Sequence, residues 1–174
     1  MEYLPYIIDA LNEIEQEYIK LPAMHKASGL IRERVFCYEF YHQMRKTITP
    51  TRDVVINGEI DKRGYPTFNS QNPDFVFHVP GSNAGNAIVC EVKGDIRKPG
   101  LSKDLETICH FIEDKYYQSG VLIIFANSFE QLMNKAGDIV QMFAMRECAS
   151  KVWIIMLPES KNCQEPVILS SLRA

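Results

Sequence analysis

Asp74, Glu91 and Lys93 are the residues of this chain whose types and spacing could do chemistry together. Side chains alternate between the two faces of a β-strand, so Glu91 and Lys93 in Glu91-Val92-Lys93 point one way and Val92 the other. The run that leads into them, Ala87-Ile88-Val89-Cys90, is apolar on both faces, as in a central strand covered on both sides. Charged side chains there are costly unless they are paired or bind a metal. Two carboxylates about 4 Å apart at an effective dielectric near 20 repel by about 4 kcal/mol, so Asp74 beside Glu91 would need a cation or a raised pKa. Hard divalent ions such as magnesium (Mg2+) or manganese (Mn2+) prefer carboxylate and carbonyl oxygens, which makes Asp74, Glu91 and the Val92 carbonyl the candidate ligands. A metal held there can polarise a phosphate and activate a water. The Lys93 ammonium can orient that water or stabilise charge that builds on the phosphate.

These groups meet only if the surrounding elements bring them together. Pro73, with its fixed φ and missing donor, suits the position before a strand Phe75–Val79, which the turn-rich stretch Pro80 to Asn86 joins to the strand Ala87–Lys93 as an antiparallel hairpin. The chemistry requires Asp74 opposite Glu91, or one odd step along, since a slip of one residue can turn one carboxylate away from the other. Upstream, apolar residues at helical spacing predict an amphipathic helix over Tyr3–Lys20 and a second over Gly29–Lys46, with Ser28 as its N-cap and Thr49-Pro50-Thr51 ending it. A strand over Asp53–Ile60 and a polar loop over Asp61–Asn72 follow. Downstream the pattern predicts a helix over Ser102–Gln118, a strand Val121–Ala126, a long helix opened by a Ser128/Gln131 capping box and ending near Ser150, and strands Val152–Leu157 and Val167–Leu169. The fold class is therefore α/β with a mixed sheet, in one domain with an N-terminal helical extension over about residues 1–28.

Composition sets limits. The net charge of −3 over 174 residues offers no global attraction for nucleic acid, so such a partner would need a local basic patch. The segment leaving Lys93 supplies candidates in Arg97, Lys98 and Lys103, although Asp95 and Asp104 dilute it. Glu59 and Lys62 read as a charge cluster at a hairpin end, and Phe36, Tyr38, Phe40 and Tyr41 as core. Five scattered cysteines without a CxxC pair resemble neither a disulfide framework nor a zinc site, and His25, His42, His78 and His110 lack metal-ligand spacing. There is no glycine-rich phosphate loop. The absence of an apolar leader or long apolar run predicts a cytoplasmic, membrane-free protein.

Pro73-Asp74, a sixteen-residue gap and Glu91-Val92-Lys93 resemble the PD-(D/E)xK nuclease superfamily over roughly Gly29 to Asn127. The resemblance implies a restriction-endonuclease-like αβββαβ core and a magnesium-dependent endonuclease cutting DNA. It also implies an accessory acid on the helix before the three strands, for which Glu39 is preferred over Glu33. Cutting both strands implies a homodimer, and without an appended reader that the sequence reveals, target choice would come from loops, the dimer partner or another protein partner. The alternative is a nuclease-like fold with little or no catalysis, serving as a nucleic-acid-binding or protein-assembly module.

Overall fold

A computed structural model of the chain describes residues 1–48, 54–58, 72–81, 85–114 and 116–173. The elements run α1 (Leu4–Asn12), α2 (Gln16–Ile19), β1 (Leu21–Ala23), β2 (Lys26–Leu30), α3 (Glu33–Thr47), β3 (Val55–Gly58), β4 (Phe75–His78) and β5 (Ile88–Lys93). They continue with α4 (Lys98–Asp114), β6 (Ser119–Phe125), α5 (Phe129–Ala144), β7 (Val152–Leu157) and β8 (Val167–Ile168). The fold is mixed α/β: six strands in the order β3-β4-β5-β6-β7-β8 form one sheet, antiparallel at both ends and parallel across β5, β6 and β7.

Strand alternation divides the interior into two apolar layers. Val76, Val89, Leu122, Ile124 and Ile154 meet α4 and α5 on one face. Phe75, Phe77, Cys90, Val92, Ile123 and Phe125 meet α1 and α3 on the other. The second layer is closed by aromatic contacts, with Phe36 stacked on Phe125 at 4.1 Å between ring centres and Phe40 set edge-on to Phe75 at 5.4 Å. The two tyrosines grouped with them in the sequence reading lie outside this core, since Tyr38 is 68% and Tyr41 36% exposed.

The N-terminal part is less helical than its periodicity predicts. The first helix breaks after Asn12 and resumes at Gln16, and the Ile14 carbonyl freed by the break accepts a bond from the Ser160 hydroxyl at 2.8 Å. Residues 21–30 form a β-hairpin, not the start of the second helix. Gly29 has φ +69° and a Cβ there would lie 3.1 Å from the Leu21 carbonyl oxygen, so strand pairing fixes a backbone that helix would not accept. Helix α3 accordingly starts at Glu33, with Arg32 rather than Ser28 at its N-cap.

Downstream, α4 begins earlier than expected, at Lys98, which puts Pro99 in its first turn, where a missing N–H leaves no helical bond unmade. It stops at Asp114, and Tyr116, at φ 59°, turns the chain into β6. The Ser128/Gln131 capping box forms in both directions, but α5 ends at Ala144 and Glu147–Lys151 is a separate 3-10 turn. The expected break at Thr49-Pro50-Thr51, the loop through residue 71, and Glu59 and Lys62 lie outside the described residues. No helix among the described residues is long and apolar enough to cross a membrane.

Candidate active site

Pairing of β4 with β5 sets Phe75 opposite Cys90 and Val76 opposite Val89, and the same register continued by one residue sets Asp74 opposite Glu91. Both carboxyls therefore sit on the α4 face of the sheet, as does Lys93 two residues on. Cross-strand bonds tie them down: the Val92 N–H donates to Asp74 Oδ2 at 2.7 Å, and the Asp74 N–H donates to Glu91 Oε2 at 3.4 Å. Val92 itself packs into the opposite layer.

Helix α4 brings a further acid that the sequence reading passed over. Asp104 Oδ2 stands 2.8 Å from Lys93 Nζ and is buried with no well-aligned hydrogen bond. The sequence does carry a signal for it: Leu101, Leu105 and Ile108 are core residues at helical spacing, and Asp104 falls on the same stripe. An acid there is as anomalous as Glu91 on β5.

The acid that α3 contributes is Glu33, not the favoured Glu39. Glu33 Oε1 lies 3.8 Å from Lys93 Nζ and accepts the Gly94 N–H at 3.1 Å. Glu39 instead accepts a bond from Gln43 Nε2, one turn further along its own helix. Glu33 is the first residue of α3, and a helix that approaches the sheet with its N-terminus nearest the site can offer only its first turn. The backbone at Gly94 is pressed close, because a Cβ there would come 2.3 Å from Ile31 and 2.6 Å from Phe125. Asn127 Nδ2 donates to the Gly94 carbonyl at 3.0 Å and fixes where β5 ends.

Lys93 thus meets Asp104 and Glu33 directly and feels the charge of Asp74, while Glu91 stands opposite Asp74 on the same sheet face. Burial pushes the Glu91 carboxyl well above its usual 4.5, and Asp74 and Asp104 push it the same way. Burial also raises Asp74, against the lowering effect of the Val92 N–H, and raises Asp104, against the pull of Lys93. For Lys93, burial works against the charge, but the close contact with Asp104 and the charges of Asp104, Glu33 and Asp74 together hold the ammonium above its usual range.

Among the described residues, no three His, Cys, Asp or Glu side chains stand in a ready metal-binding arrangement. The donor chemistry nevertheless suits a hard divalent ion, since Asp74 and Glu91 offer carboxyl oxygens from adjacent strands and the cluster holds more acids than cations. The site opens to solvent through a cleft of about 370 Å³ lined by Glu33, Lys93, Asp95, Arg97, Pro99 and Gly100. A second cleft, of about 710 Å³, is bordered by Asp74, Arg34, Tyr38 and Tyr41.

The candidate nucleic-acid contacts divide. Arg97 is exposed at the lip of the smaller cleft and paired to Asp95, Lys98 is paired to Asp138 at 2.7 Å, and Lys103 is exposed on α4. No family model, curated protein or solved structure matches this chain.

Proposed function

We propose that the chain is a metal-dependent endonuclease of the PD-(D/E)xK kind that hydrolyses phosphodiester bonds in DNA. The observation that carries this reading is the register that puts Asp74 opposite Glu91 with Lys93 on the same sheet face. The element order α3-β3-β4-β5-α4-β6, the αβββαβ order of a restriction-endonuclease-like core, supports it. Asp74, Glu91 and the Val92 carbonyl would hold magnesium or manganese, which when bound supplies Lewis acidity toward a phosphate oxygen and lowers the pKa of a water. Lys93 stays charged and orients the attacking water or meets charge building on the phosphate. Asp104 and Glu33 position Lys93 by ion pairing from two helices. Arg97 at the lip of the cleft, and Lys98 and Lys103 exposed on α4, would serve as contacts for backbone phosphates, which makes binding weaken as salt rises.

A second reading is favoured by one specific feature: Lys93 already has carboxylate partners in Asp104 and Glu33, and Asp74 and Glu91 accept backbone N–H groups. On that reading the cluster is a self-contained ion network in a nuclease-like module that binds nucleic acid or assembles with protein. One assay separates the two. Purified protein is incubated with supercoiled, linear and single-stranded DNA and with RNA, in magnesium, manganese or chelator, alongside Asp74→Ala and Lys93→Ala. Metal-dependent cleavage by wild type and by neither variant supports the nuclease. Binding without cleavage in any metal supports the module, and cleavage persisting in both variants rejects the assigned site.

A further inference from the structure

Away from this cluster, a second pair of side chains is placed for chemistry. Cys109 sits on the buried side of α4 and Cys148 in the 3-10 turn after α5, and their sulfurs stand 2.6 Å apart. Both are buried in the layer shared by α4 and α5. Two cysteine sulfurs that share a tetrahedral zinc, each about 2.3 Å from the metal, must stand far wider apart than this, whereas a disulfide bond needs about 2.05 Å. The spacing favours a bond between the sulfurs over a metal between them.

We infer that Cys109 and Cys148 form a modification site, at which a two-electron oxidant of the peroxide class joins them in an intramolecular disulfide. Cys109 is suited to react first. The bond donated by the Cys148 thiol lowers its pKa most, burial opposes this, and the Arg146 guanidinium adds to the lowering. Arg146 is itself held by Glu106, at 2.8 and 3.1 Å. Attack of the Cys109 thiolate on hydrogen peroxide breaks the O–O bond, releases hydroxide and leaves a sulfenic acid. The Cys148 sulfur then attacks the Cys109 sulfur, the S–O bond breaks, and the departing hydroxide leaves as water with the Cys148 proton. Two thiols and one peroxide give one disulfide and two waters. Cys90 lies in the opposite apolar layer with Cys37 against it, so the sheet stands between these two and the reactive pair. The inference does not depend on the nuclease reading.

The test uses the full chain. Native protein is treated with hydrogen peroxide, its free thiols are alkylated and counted, and its unreduced peptides are mapped. Of five thiols, two are expected to disappear, Cys109 and Cys148 to appear in one linked peptide pair, and reduction to restore them. The unfolding midpoint should rise by about 10 °C, since the link closes a long loop. Cys148→Ala should keep its four thiols and show no such rise, and the wild-type map decides the matter if that variant fails to fold. Five thiols surviving, a link through Cys37, Cys90 or Cys163, or Cys109 recovered as a sulfinic acid would each overturn the inference.

Discussion

Strands β5 and β6 lie side by side, parallel and buried, yet at the same level of the same face one carries Glu91 and Lys93 where the other carries Leu122 and Ile124. Leu122 and Ile124 vanish into the layer beneath α4 and α5. Glu91 is nearly as hidden, at 6% exposure, but its burial works against its own charge, and Asp104, which the neighbouring helix adds, worsens that cost. The sheet can evidently be built with apolar residues at this level. What β5 carries instead costs stability, the pattern expected where a site is bought at the fold's expense.

The sharpest break in the comparison comes from removing one carboxyl. Asp74→Ala should lower metal-dependent DNA cleavage by at least about 100-fold, read as initial rates on a labelled duplex. It also frees the Val92 N–H, so a melting curve must show that the variant is folded.

Removing the cation separates site from scaffold by energy. Lys93→Ala leaves Asp104 buried and unpaired and should cost on the order of 3 kcal/mol in a denaturant titration at neutral pH. Adding Asp104→Leu, which makes α4 match its apolar stripe, should recover most of the loss without restoring cleavage. If the double variant is no more stable than the single one, the charges are not compensating each other.

Acidity sharpens the contrast further. Asp74, Glu91 and Asp104 all have folded pKa values raised above the ordinary 3.8 and 4.5, so the folded chain binds their protons more tightly than the unfolded chain does. Their contribution to stability is full below the ordinary values and is lost as pH rises through the folded ones. Calorimetry in chelator should therefore show these groups favouring the fold at about pH 4 over pH 7, with Asp104→Asn reducing the difference.

The smallest effect distinguishes the two acids of α3. Glu33→Gln weakens the hold on Lys93 and should reduce cleavage about 10-fold, chiefly through kcat. Glu39→Gln should leave cleavage unchanged and stability within about 0.5 kcal/mol.

Much of this arrangement is legible in the sequence. Short continuous apolar runs mark β4 through β7, and a charge at the end of the most apolar run marks Glu91 and Lys93, because few other residues are so costly where they stand. The hairpin β1–β2 is hidden because its strands are short and lack alternation, and its decisive feature is a backbone angle at Gly29. The choice between Glu33 and Glu39 depends on how α3 approaches the sheet, which no local pattern records. Asp104 could have been read, since it interrupts an apolar stripe, but its partner Lys93 is known only once α4 is docked. The Cys109–Cys148 contact joins residues 39 apart through tertiary packing alone.

Glu91→Gln tests the central claim most directly, because it keeps shape while removing the charge that β6 does without. With magnesium or manganese present, the variant should fold at least as stably as wild type and cleave DNA at least about 100-fold more slowly. A variant that cuts DNA as fast as wild type, or one that unfolds while wild type shows no cleavage, would mean that Glu91 serves the fold and not a reaction.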